Sequence, residues 1–304
     1  RNNKGDLLGA TSGFMDLDKM LGGFQKGDLI ILAARPSMGK TALALNVATA
    51  AAIALNTDQT GGAKVAVFSL EMSAVQLSTR IISSVTHLES QKIERGQLTD
   101  EEMRRLQGQS EAIADLPIDV IDVSSLNIST LRVMARRLKR QQNIGMIIVD
   151  YLQLMSSSSR KADGNRVQEI SEISRGLKQI AREIEVPIIA LSQLSRNVES
   201  RDNKRPQLSD LRESGSIEQD ADVVLFLYRE AYYKERQFGP VGQWNEEQKR
   251  FYDKIKNVAE LYVSKNRKGA VGGVTLQFTP ELTLFRDYTD SKGYEQMLRC
   301  LLYT

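Results

Sequence analysis

The sequence predicts an α/β fold whose core is a mostly parallel, twisted sheet with flanking helices and an antiparallel C-terminal edge. Three observations support this prediction. Short apolar runs alternate with helical patterns, as in successive βαβ units. Four of these runs end in polar residues, as strands do where a parallel sheet binds ligands. The stretch 260–285 alternates apolar and polar residues around a glycine turn, which indicates antiparallel strands.

Composition limits what the chain can be. Its 304 residues, of which 41% are hydrophobic, suffice for one α/β domain with appendages, and two full domains are not expected. The net charge of +3 gives no global field that favours nucleic acid, so such binding must rest on local patches. The single cysteine, Cys300, excludes an internal disulfide, and no signal peptide or membrane-length apolar run occurs. We therefore expect a soluble, cytoplasmic protein with no membrane partner.

The chain divides into three segments. Residues 1–13 are polar and glycine-bearing and are predicted to be a linker. The folded domain is expected to span residues 14–288, and it opens with a short helix that stops at a glycine pair. Residues 289–304 are predicted to be a polar C-terminal tail. Within the domain, residues 229–258 are rich in charged and aromatic side chains and indicate a long insertion with some helix, to which we assign no role.

Residues 28–45, "DLIILAARPSMGKTALAL", have the pattern of a strand, a phosphate-binding turn and a helix. Gly39 allows the backbone to curl so that N–H groups at the helix N-terminus face an anion. Lys40 can reach the β- and γ-phosphates, and the Thr41 hydroxyl can ligate Mg²⁺. Ala34 occupies the place where this motif usually has its first glycine. An ordinary strand-to-helix turn is the alternative, but it does not need adjacent lysine and threonine.

Three further strand ends present side chains suited to phosphate chemistry. Glu71 follows "KVAVFS" and can polarise a water that attacks the γ-phosphate, or else it is a charge at a helix N-terminus. Asp150 ends "MIIVD", where a second carboxylate would hold the Mg²⁺ shell. Gln193 ends "IIALSQ", where an amide can hydrogen-bond the γ-phosphate or the attacking water. Together with Lys40, these residues favour a nucleoside triphosphatase over a passive nucleotide-binding protein.

Two later segments are candidates for further contacts with phosphate. Gly215, in the polar segment "DLRESGSIE", would let backbone N–H groups approach a nucleic-acid phosphate, although a surface turn before a helix is the alternative. The turn in "SKNRKG" projects Lys265, Arg267 and Lys268. This basic hairpin is either an arginine finger that reaches phosphates bound by a neighbouring subunit or an edge strand kept soluble by its charge.

Six segments, in order, resemble the successive motifs of a known family. They are "FMDLDKMLGGFQKGDLIILAARPSMGKTALALN", "FSLEMS", "IIVDYLQLM", "LSQLSR", "DLRESGSIEQDADVVLFLYR" and "SKNRKGAVG". The strand-end residues resemble those of the RecA-like ATPase core, and the segments resemble the C-terminal motor domain of replicative DnaB-type DNA helicases. The resemblance covers about residues 9–286. It implies a RecA-like P-loop NTPase fold, and in this family Ala34 stands at a normal place in the phosphate loop.

The resemblance implies a role for each matching residue near the nucleotide. Five residues of the phosphate loop would hold the phosphates and Mg²⁺: Ser37, Gly39, Lys40, Thr41 and Ala42. Asp150 would lie in the outer shell of the metal, and Arg80 would be a further nucleotide contact. Glu71 would be the catalytic base. Gln193 would sense the γ-phosphate and contribute to coupling.

The same resemblance implies that the activity depends on several subunits. Lys265 and Arg267 match the pair that is inserted in trans, so the catalytic site would be completed between subunits of a homo-hexameric ring. Arg212, Glu213 and Gly215 match the loop that contacts the DNA backbone. A member of this family would use ATP and Mg²⁺ to move on single-stranded DNA from 5′ to 3′ and unwind duplex at the replication fork.

The chain also departs from the family pattern. No stretch of the sequence resembles the family's N-terminal domain, which would carry the surfaces expected for primase docking and part of the ring collar. A helicase loader is a further partner that the resemblance implies. A member of this family would act in a bacterial-type cytoplasm and associate with the nucleoid during replication. Two alternatives are a recombinase-like filament, in which ATP stabilises a DNA-bound state, and a nucleotide-switched assembly factor.

Overall fold

A computed structural model describes residues 7–156, 166–211 and 215–288. In these ranges the strands are β1 (Leu29–Ala34), β2 (Val65–Ser69), β3 (Ile118–Asp122), β4 (Met146–Asp150), β5 (Ile188–Gln193), β6 (Val223–Tyr228), β7 (Val258–Asn266), β8 (Gly272–Thr279) and β9 (Leu284–Asp287). They form one sheet in the order β3-β2-β4-β5-β1-β6-β7-β8-β9. Strands β1 to β6 pair in parallel, and β7 to β9 continue the sheet as an antiparallel edge. The predicted α/β class and its antiparallel C-terminal edge are confirmed.

The helices of the described ranges lie on both faces of this sheet. They are α1 (Met15–Leu21), α2 (Lys40–Asn56), α3 (Ala74–Thr86), α4 (Ser90–Arg95), α5 (Asp100–Ala114), α6 (Ile128–Gln142), α7 (Arg166–Ile184), α8 (Gly215–Asp220), α9 (Glu230–Phe238) and α10 (Glu246–Ile255). Helices α1, α2 and α3 pack on one face, and α6, α7 and α8 pack on the other. None of the helices described is both long enough and apolar enough to cross a lipid bilayer.

The central strand β1 shows how the two faces are filled. Ile30 and Leu32 pack in the core beneath α2, whereas Leu29 and Ile31 pack in the core beneath α7. All four side chains are at most 2% exposed. Because both faces of the strand are covered, its sequence is a continuous apolar run rather than an alternating one.

Residues 10–12, which the sequence analysis assigns to a linker, are packed against the domain. Ala10 forms an antiparallel bridge with Phe24, and Ser12 is fully buried. The Asp18 carboxylate of α1 accepts hydrogen bonds from the Thr11 hydroxyl and from the Ser12 backbone N–H. The polar composition of this stretch predicted a linker. The stretch is packed instead because the polar groups of Thr11 and Ser12 are satisfied by Asp18 of α1, a contact that composition does not reveal.

The insertion at residues 229–258 is a pair of helices, α9 and α10, with an aromatic cluster between them. The buried ring of Trp244 lies edge-on to Phe238 and Tyr252, with centroids 5.6 Å and 4.7 Å away. Its Nε1 donates a hydrogen bond to the Gly239 carbonyl oxygen at 2.8 Å. The insertion is therefore packed by its own side chains. The predicted tail, residues 289–304, lies outside the described residues.

Candidate nucleotide site

Four neighbouring strands end side by side at one edge of the sheet. In β1 and β5, Ala34 is paired with Gln193, and in β2 and β4, Ser69 is paired with Asp150. Strands β4 and β5 are themselves adjacent. The phosphate loop, Gln193, Asp150 and the turn that carries Glu71 therefore follow one another along this edge. Ligands of parallel sheets bind outside the carboxyl ends of the strands.

The phosphate loop between β1 and α2 contains two residues with a left-handed backbone. Ser37 has φ of 66° and Gly39 has φ of 95°. A Cβ atom at Gly39 would lie 2.9 Å from Phe285 Cζ and 3.3 Å from Phe278 Cζ, so only glycine fits there. Met38, at 1% exposure, anchors the loop in the core. The loop is thus fixed from below by the two rings and by Met38.

The N-terminus of α2 is open to an anion. The helix begins at Lys40, its N-cap is Gly39, no side chain within the described ranges caps it, and no acidic residue occupies its first turn. The first N–H groups of a helix have no partner in the helix, and they carry the positive end of its dipole. Ala42, in this first turn, is 4% exposed, so its small side chain lies in the core. An oxyanion is the ligand that such a terminus binds.

The Lys40 ammonium lies beside an aromatic ring and two carboxylates. Its Nζ is 4.6 Å from the ring centroid of Tyr151. Burial lowers the pKa of Lys40 below its usual range, whereas the carboxylates of Asp150 and Glu71 oppose this shift by favouring the ammonium. The charge of Glu71 is therefore felt at the phosphate loop, although its side chain is exposed.

Thr41 and Asp150 form the polar centre of the site. Thr41 Oγ1 donates a hydrogen bond to Asp150 Oδ2 at 2.7 Å. The other oxygen, Asp150 Oδ1, is buried and has no hydrogen-bond partner among the described residues. An unpartnered buried carboxylate oxygen is costly unless a ligand or water completes it. A hydroxyl and a carboxylate are also the oxygen donors that Mg²⁺ prefers.

A cation at Asp150 would need oxygen donors from its ligand. No group of three or more histidine, cysteine, aspartate or glutamate side chains that could hold a metal occurs in the described part of the chain. Mg²⁺ usually takes one or two carboxylates together with water and substrate phosphates. The residues present therefore fit a nucleotide-borne Mg²⁺ and do not form a cage for a resident metal.

Glu71 lies in a short turn between β2 and α3. Ser69 Oγ donates to the Met72 carbonyl oxygen at 2.7 Å and accepts from the Met72 N–H at 3.1 Å, which closes the turn around Glu71. Helix α3 begins at Ala74, and its first turn contains no acidic residue. Glu71 therefore lies two residues before the N-cap Ser73 rather than inside the helix, and its exposed carboxylate lies at the edge of the site.

Gln153, which the sequence analysis missed, ties the end of β5 to the segment after β4. Its Nε2 donates to Ser192 Oγ at 2.9 Å and to the Gln193 carbonyl oxygen at 3.1 Å, and its Oε1 accepts from the Gln193 N–H at 3.2 Å. This clamp fixes the backbone of Gln193 and leaves its side chain exposed. The only signal in the sequence was its position three residues after Asp150.

Arg35 is a second residue without a role in the sequence analysis. It follows the last residue of β1 and is 7% exposed. Its guanidinium bonds to Glu199 and to the Leu194 carbonyl oxygen rather than to a group of the phosphate loop. A cavity of about 400 Å³ lies beside it, with Gln153 and Gln193 among the lining residues.

Lys265 and Arg267 lie where the parallel strands β1 and β6 begin, at the end of these strands opposite the phosphate loop. Lys265 Nζ donates to the Glu218 carbonyl oxygen, and Arg267 Nη1 is 3.5 Å from Asp222 Oδ1. Asp222 Oδ2 accepts from the N–H of Leu29, the first residue of β1, at 2.8 Å. The length of β1, roughly 16 Å, therefore separates Arg267 from the loop that follows β1.

The remaining candidates are Arg80 and the three residues predicted to contact DNA. Arg80 lies in α3, and its carbonyl oxygen accepts a hydrogen bond from Thr283 Oγ1 at 3.3 Å. Arg212 and Glu213 lie outside the described residues, and Gly215 is the first residue of α8. The structure therefore brings together the phosphate loop, Glu71, Asp150 and Gln193, and it leaves the proposed DNA contacts untested.

The sequence matches the family model described as "DnaB-like helicase C terminal domain" over residues 9–287. It is 47% identical over 284 residues to the replicative DNA helicase DnaC of Bacillus subtilis, a match that covers 93% of this chain and 58% of that protein. It is 46% identical to the replicative DNA helicase DnaB of Geobacillus stearothermophilus, again over 93% of this chain and 58% of the relative. The chain thus spans less than two thirds of the length of these curated relatives.

Two solved structures are similar in both fold and sequence. One, described as an ATPase domain, superposes with a TM-score of 0.81 at 37% identity, and the match covers 94% of each chain. A DnaB-like replicative helicase, described together with its interactions with primase, has a TM-score of 0.81 at 37% identity, over 94% of this chain and 64% of that one. On the match over residues 9–287 and the identities to these relatives, the chain belongs to the DnaB-like helicase C-terminal domain family.

Proposed function

We propose that residues 14–288 are the motor domain of a replicative DNA helicase, which couples ATP hydrolysis to movement on single-stranded DNA from 5′ to 3′. The observation that supports this most is the arrangement at the carboxyl ends of four neighbouring strands. There the N-terminus of α2 has no side-chain cap, and its first residue, Lys40, lies near the carboxylates of Asp150 and Glu71. Membership of the family supports a nucleotide-driven motor and does not favour the recombinase-like or switch alternatives.

The nucleotide would bind with its phosphates against the N-terminus of α2. Backbone N–H groups of Ser37, Gly39 and Ala42 would hold the phosphate oxygens, and Lys40 would neutralise charge between the β- and γ-phosphates. Thr41 and Asp150 would hold Mg²⁺, which when bound would offset the negative charge that develops on the phosphates. Arg80 on α3 is proposed as a further nucleotide contact.

Hydrolysis would require a water positioned between Glu71 and the γ-phosphate. The exposed Glu71 carboxylate would accept the proton of this water as it attacks. The Gln193 side chain would donate a hydrogen bond to the γ-phosphate, and its backbone, clamped by Gln153, would shift when that phosphate leaves. Gln193 would in this way report the state of the nucleotide.

The site would be completed by a neighbouring subunit. Lys265 and Arg267 cannot reach the phosphate loop of their own chain, because the length of β1 separates them from it. The same residues of an adjacent chain would supply the cations that stabilise the transition state, as arginine fingers do. We therefore propose a homo-hexameric ring, with nucleotide at each boundary between subunits.

DNA would be held in the centre of the ring by Arg212, Glu213 and Gly215. Contacts from backbone N–H groups to phosphates need no large positive field, which agrees with a net charge of only +3. The similar structure described with primase supports primase as a proposed partner, and a helicase loader is a further proposed partner. The proposed setting is the bacterial-type cytoplasm, at the nucleoid during replication.

A forked duplex tests this function. The assembled chain is incubated with ATP and Mg²⁺ on a fork with a 5′ single-stranded tail and on its mirror image with a 3′ tail, with Lys40→Ala as the matched control. Unwinding of the first fork alone, absent in the variant, is the expected result. Strand exchange without unwinding would indicate the recombinase-like filament. ATP hydrolysis at a rate indifferent to DNA would indicate the nucleotide switch.

A further inference from the structure

Arg35 joins the phosphate loop to the segment that follows β5. Its Nε and Nη2 donate to Glu199 Oε1 at 3.0 Å and 2.8 Å, and its Nη1 donates to the Leu194 carbonyl oxygen at 2.8 Å. The Arg35 side chain is 7% exposed and that of Glu199 is 37% exposed. A partly buried ion pair that contains two hydrogen bonds restrains its two side chains more than an exposed ion pair does. The base of the phosphate loop is therefore attached to this segment.

The segment, residues 194–211, has its two ends joined by hydrogen bonds. We call it the coupling segment. Near its start, the Ser195 N–H donates to the Asp210 carbonyl oxygen at 3.1 Å. Asp210, 5% exposed, accepts through Oδ2 from Arg201 Nη2 and from the Gln207 N–H, each at 2.7 Å. Asp210 thus joins Ser195, Arg201 and Gln207 within the segment that carries Glu199.

The coupling segment lies in the chain between two residues that are proposed above to contact ligands. It begins directly after Gln193, proposed above as the sensor of the γ-phosphate, and it ends directly before Arg212, proposed above as a DNA contact. The cavity of about 400 Å³ lies between Arg35, Gln153, Ser195 and Asp210. Because this space is not filled by side chains, the segment can shift without compressing a packed core.

We propose that the Arg35–Glu199 ion pair is a positioning contact that transmits the state of the nucleotide from the phosphate loop to the DNA loop through the coupling segment. The inference rests on the proposed helicase function and adds a named path for its coupling. Gln193 alone would move only the start of the segment. The ion pair adds a second attachment to the phosphate loop, so that the segment turns as one body when the loop adjusts to its ligand.

The test is the substitution Glu199→Ala, with Glu199→Gln as a second variant that keeps the size of the side chain. Two quantities are measured: the ratio of ATP hydrolysis rates with and without single-stranded DNA, and the ratio of DNA affinities with a non-hydrolysable ATP analogue and with ADP. Because Glu199 bonds to Arg35 and is not among the residues proposed to hold the nucleotide, the rate without DNA is expected to stay near that of the wild type. Both ratios are expected to fall about 5-fold or more, the lower range of coupling between sites. Glu199→Gln should give a smaller loss.

A matched control lies on the same segment. Arg205 Nη2 and Nε bond to Glu260 Oε1 and Oε2 at 2.9 Å and 3.1 Å, which attaches the coupling segment to β7 rather than to the phosphate loop. Glu260→Ala is therefore expected to leave both ratios unchanged. The proposal is overturned if both Glu199 variants, folded by circular dichroism, keep both wild-type ratios, or if Glu260→Ala lowers them equally. A wild type whose hydrolysis ignores DNA would instead overturn the proposed function.

Discussion

The hydroxyl of Thr41 has two tasks at the same place. It satisfies one oxygen of the buried Asp150 carboxylate, and it would be a ligand of Mg²⁺ when nucleotide binds. Each task depends on the same atom, so the two can be removed together by one substitution that preserves the shape of the side chain.

Thr41→Val is therefore expected to leave Asp150 with no partner for either oxygen. The free energy of unfolding should fall by roughly 1–3 kcal/mol, since a buried charged acceptor loses its donor. The Mg²⁺ concentration needed for half-maximal ATP hydrolysis should rise at least roughly 10-fold. Urea denaturation and a Mg²⁺ titration measure the two effects. Thr41→Ser keeps the hydroxyl and should retain most of both, and an unaffected Thr41→Val would contradict the role given to the hydroxyl.

His87 offers a second expectation for a single residue. It caps α3 in a left-handed conformation, and its Nε2 lies 2.8 Å from Arg286 Nη2. Burial, together with the positive charges of Arg286 and Arg105, lowers the pKa of His87 to about 4 from its ordinary value of 6.5. The unfolded chain therefore binds a proton at a higher pH than the folded one does. The stability contributed by neutral His87 is complete above pH 6.5 and is lost as the pH falls toward 4.

Acidification from pH 7 to pH 5 should accordingly cost the wild type roughly 1–2 kcal/mol through this residue. His87→Asn removes the titration and keeps a side chain that tolerates the left-handed backbone. The drop in melting temperature between the two pH values is expected to be smaller in the variant than in the wild type. Equal drops would show that His87 does not contribute to acid sensitivity.

At the scale of elements, the joint between β1 and α2 depends on Gly39. Its φ of 95° and the 2.9 Å approach of Phe285 to the place of a Cβ both exclude a side chain. Gly39→Ala is expected to destabilise the chain by roughly 1–3 kcal/mol and to weaken nucleotide binding, because the loop must move to relieve the contact. Gly108, in the exposed middle of α5, is the control, because a Cβ atom added there would have no neighbouring atom within 4 Å. Gly108→Ala should be stabilising by about 0.5–1 kcal/mol.

Urea denaturation of both variants, with nucleotide titrations at matched temperature, measures this difference. A Gly39→Ala variant as stable as the wild type would mean that the phosphate loop accommodates a Cβ and is not fixed by the rings beneath it.

The elements themselves were predictable because their signals are local. The strand before the phosphate loop, the helix after it and the C-terminal meander each follow from a period in a single stretch of sequence. The roles of Arg35 and Gln153 did not follow, because their partners lie 164 and about 40 residues away in the chain. Residues 10–12 were misassigned for the same reason. From sequence alone a polar residue is predicted to be exposed to solvent, unless its hydrogen-bond partner is known.

At the scale of the whole molecule, the separation of Arg267 from the phosphate loop leads to a mixing test. Arg267→Ala and Lys40→Ala subunits should each lose hydrolysis when assembled alone. In an equal mixture, about one quarter of the boundaries would combine an intact Lys40 with an intact Arg267 from the next chain, so about a quarter of the wild-type rate should return. Arg136→Ala, an exposed arginine of α6, is the control and should hydrolyse ATP normally alone.

Subunit exchange is verified with fluorescently labelled chains before the rates are compared. Mixtures that have exchanged subunits and remain inactive would exclude sites shared between chains and would require a finger from within the same subunit.

The placement of Arg267 and the phosphate loop at opposite ends of the parallel strands β1 and β6 also restricts the symmetry of any assembly. Two chains related by a two-fold axis could complete each other's sites only as a closed pair, in which each Arg267 meets the phosphate loop of the other chain. In a head-to-tail arrangement each Arg267 meets the phosphate loop of the next chain instead, and such an arrangement either closes on itself or continues without end. A slight change in the rotation between neighbours, rather than any new side chain, would then decide between a closed ring and an open helix.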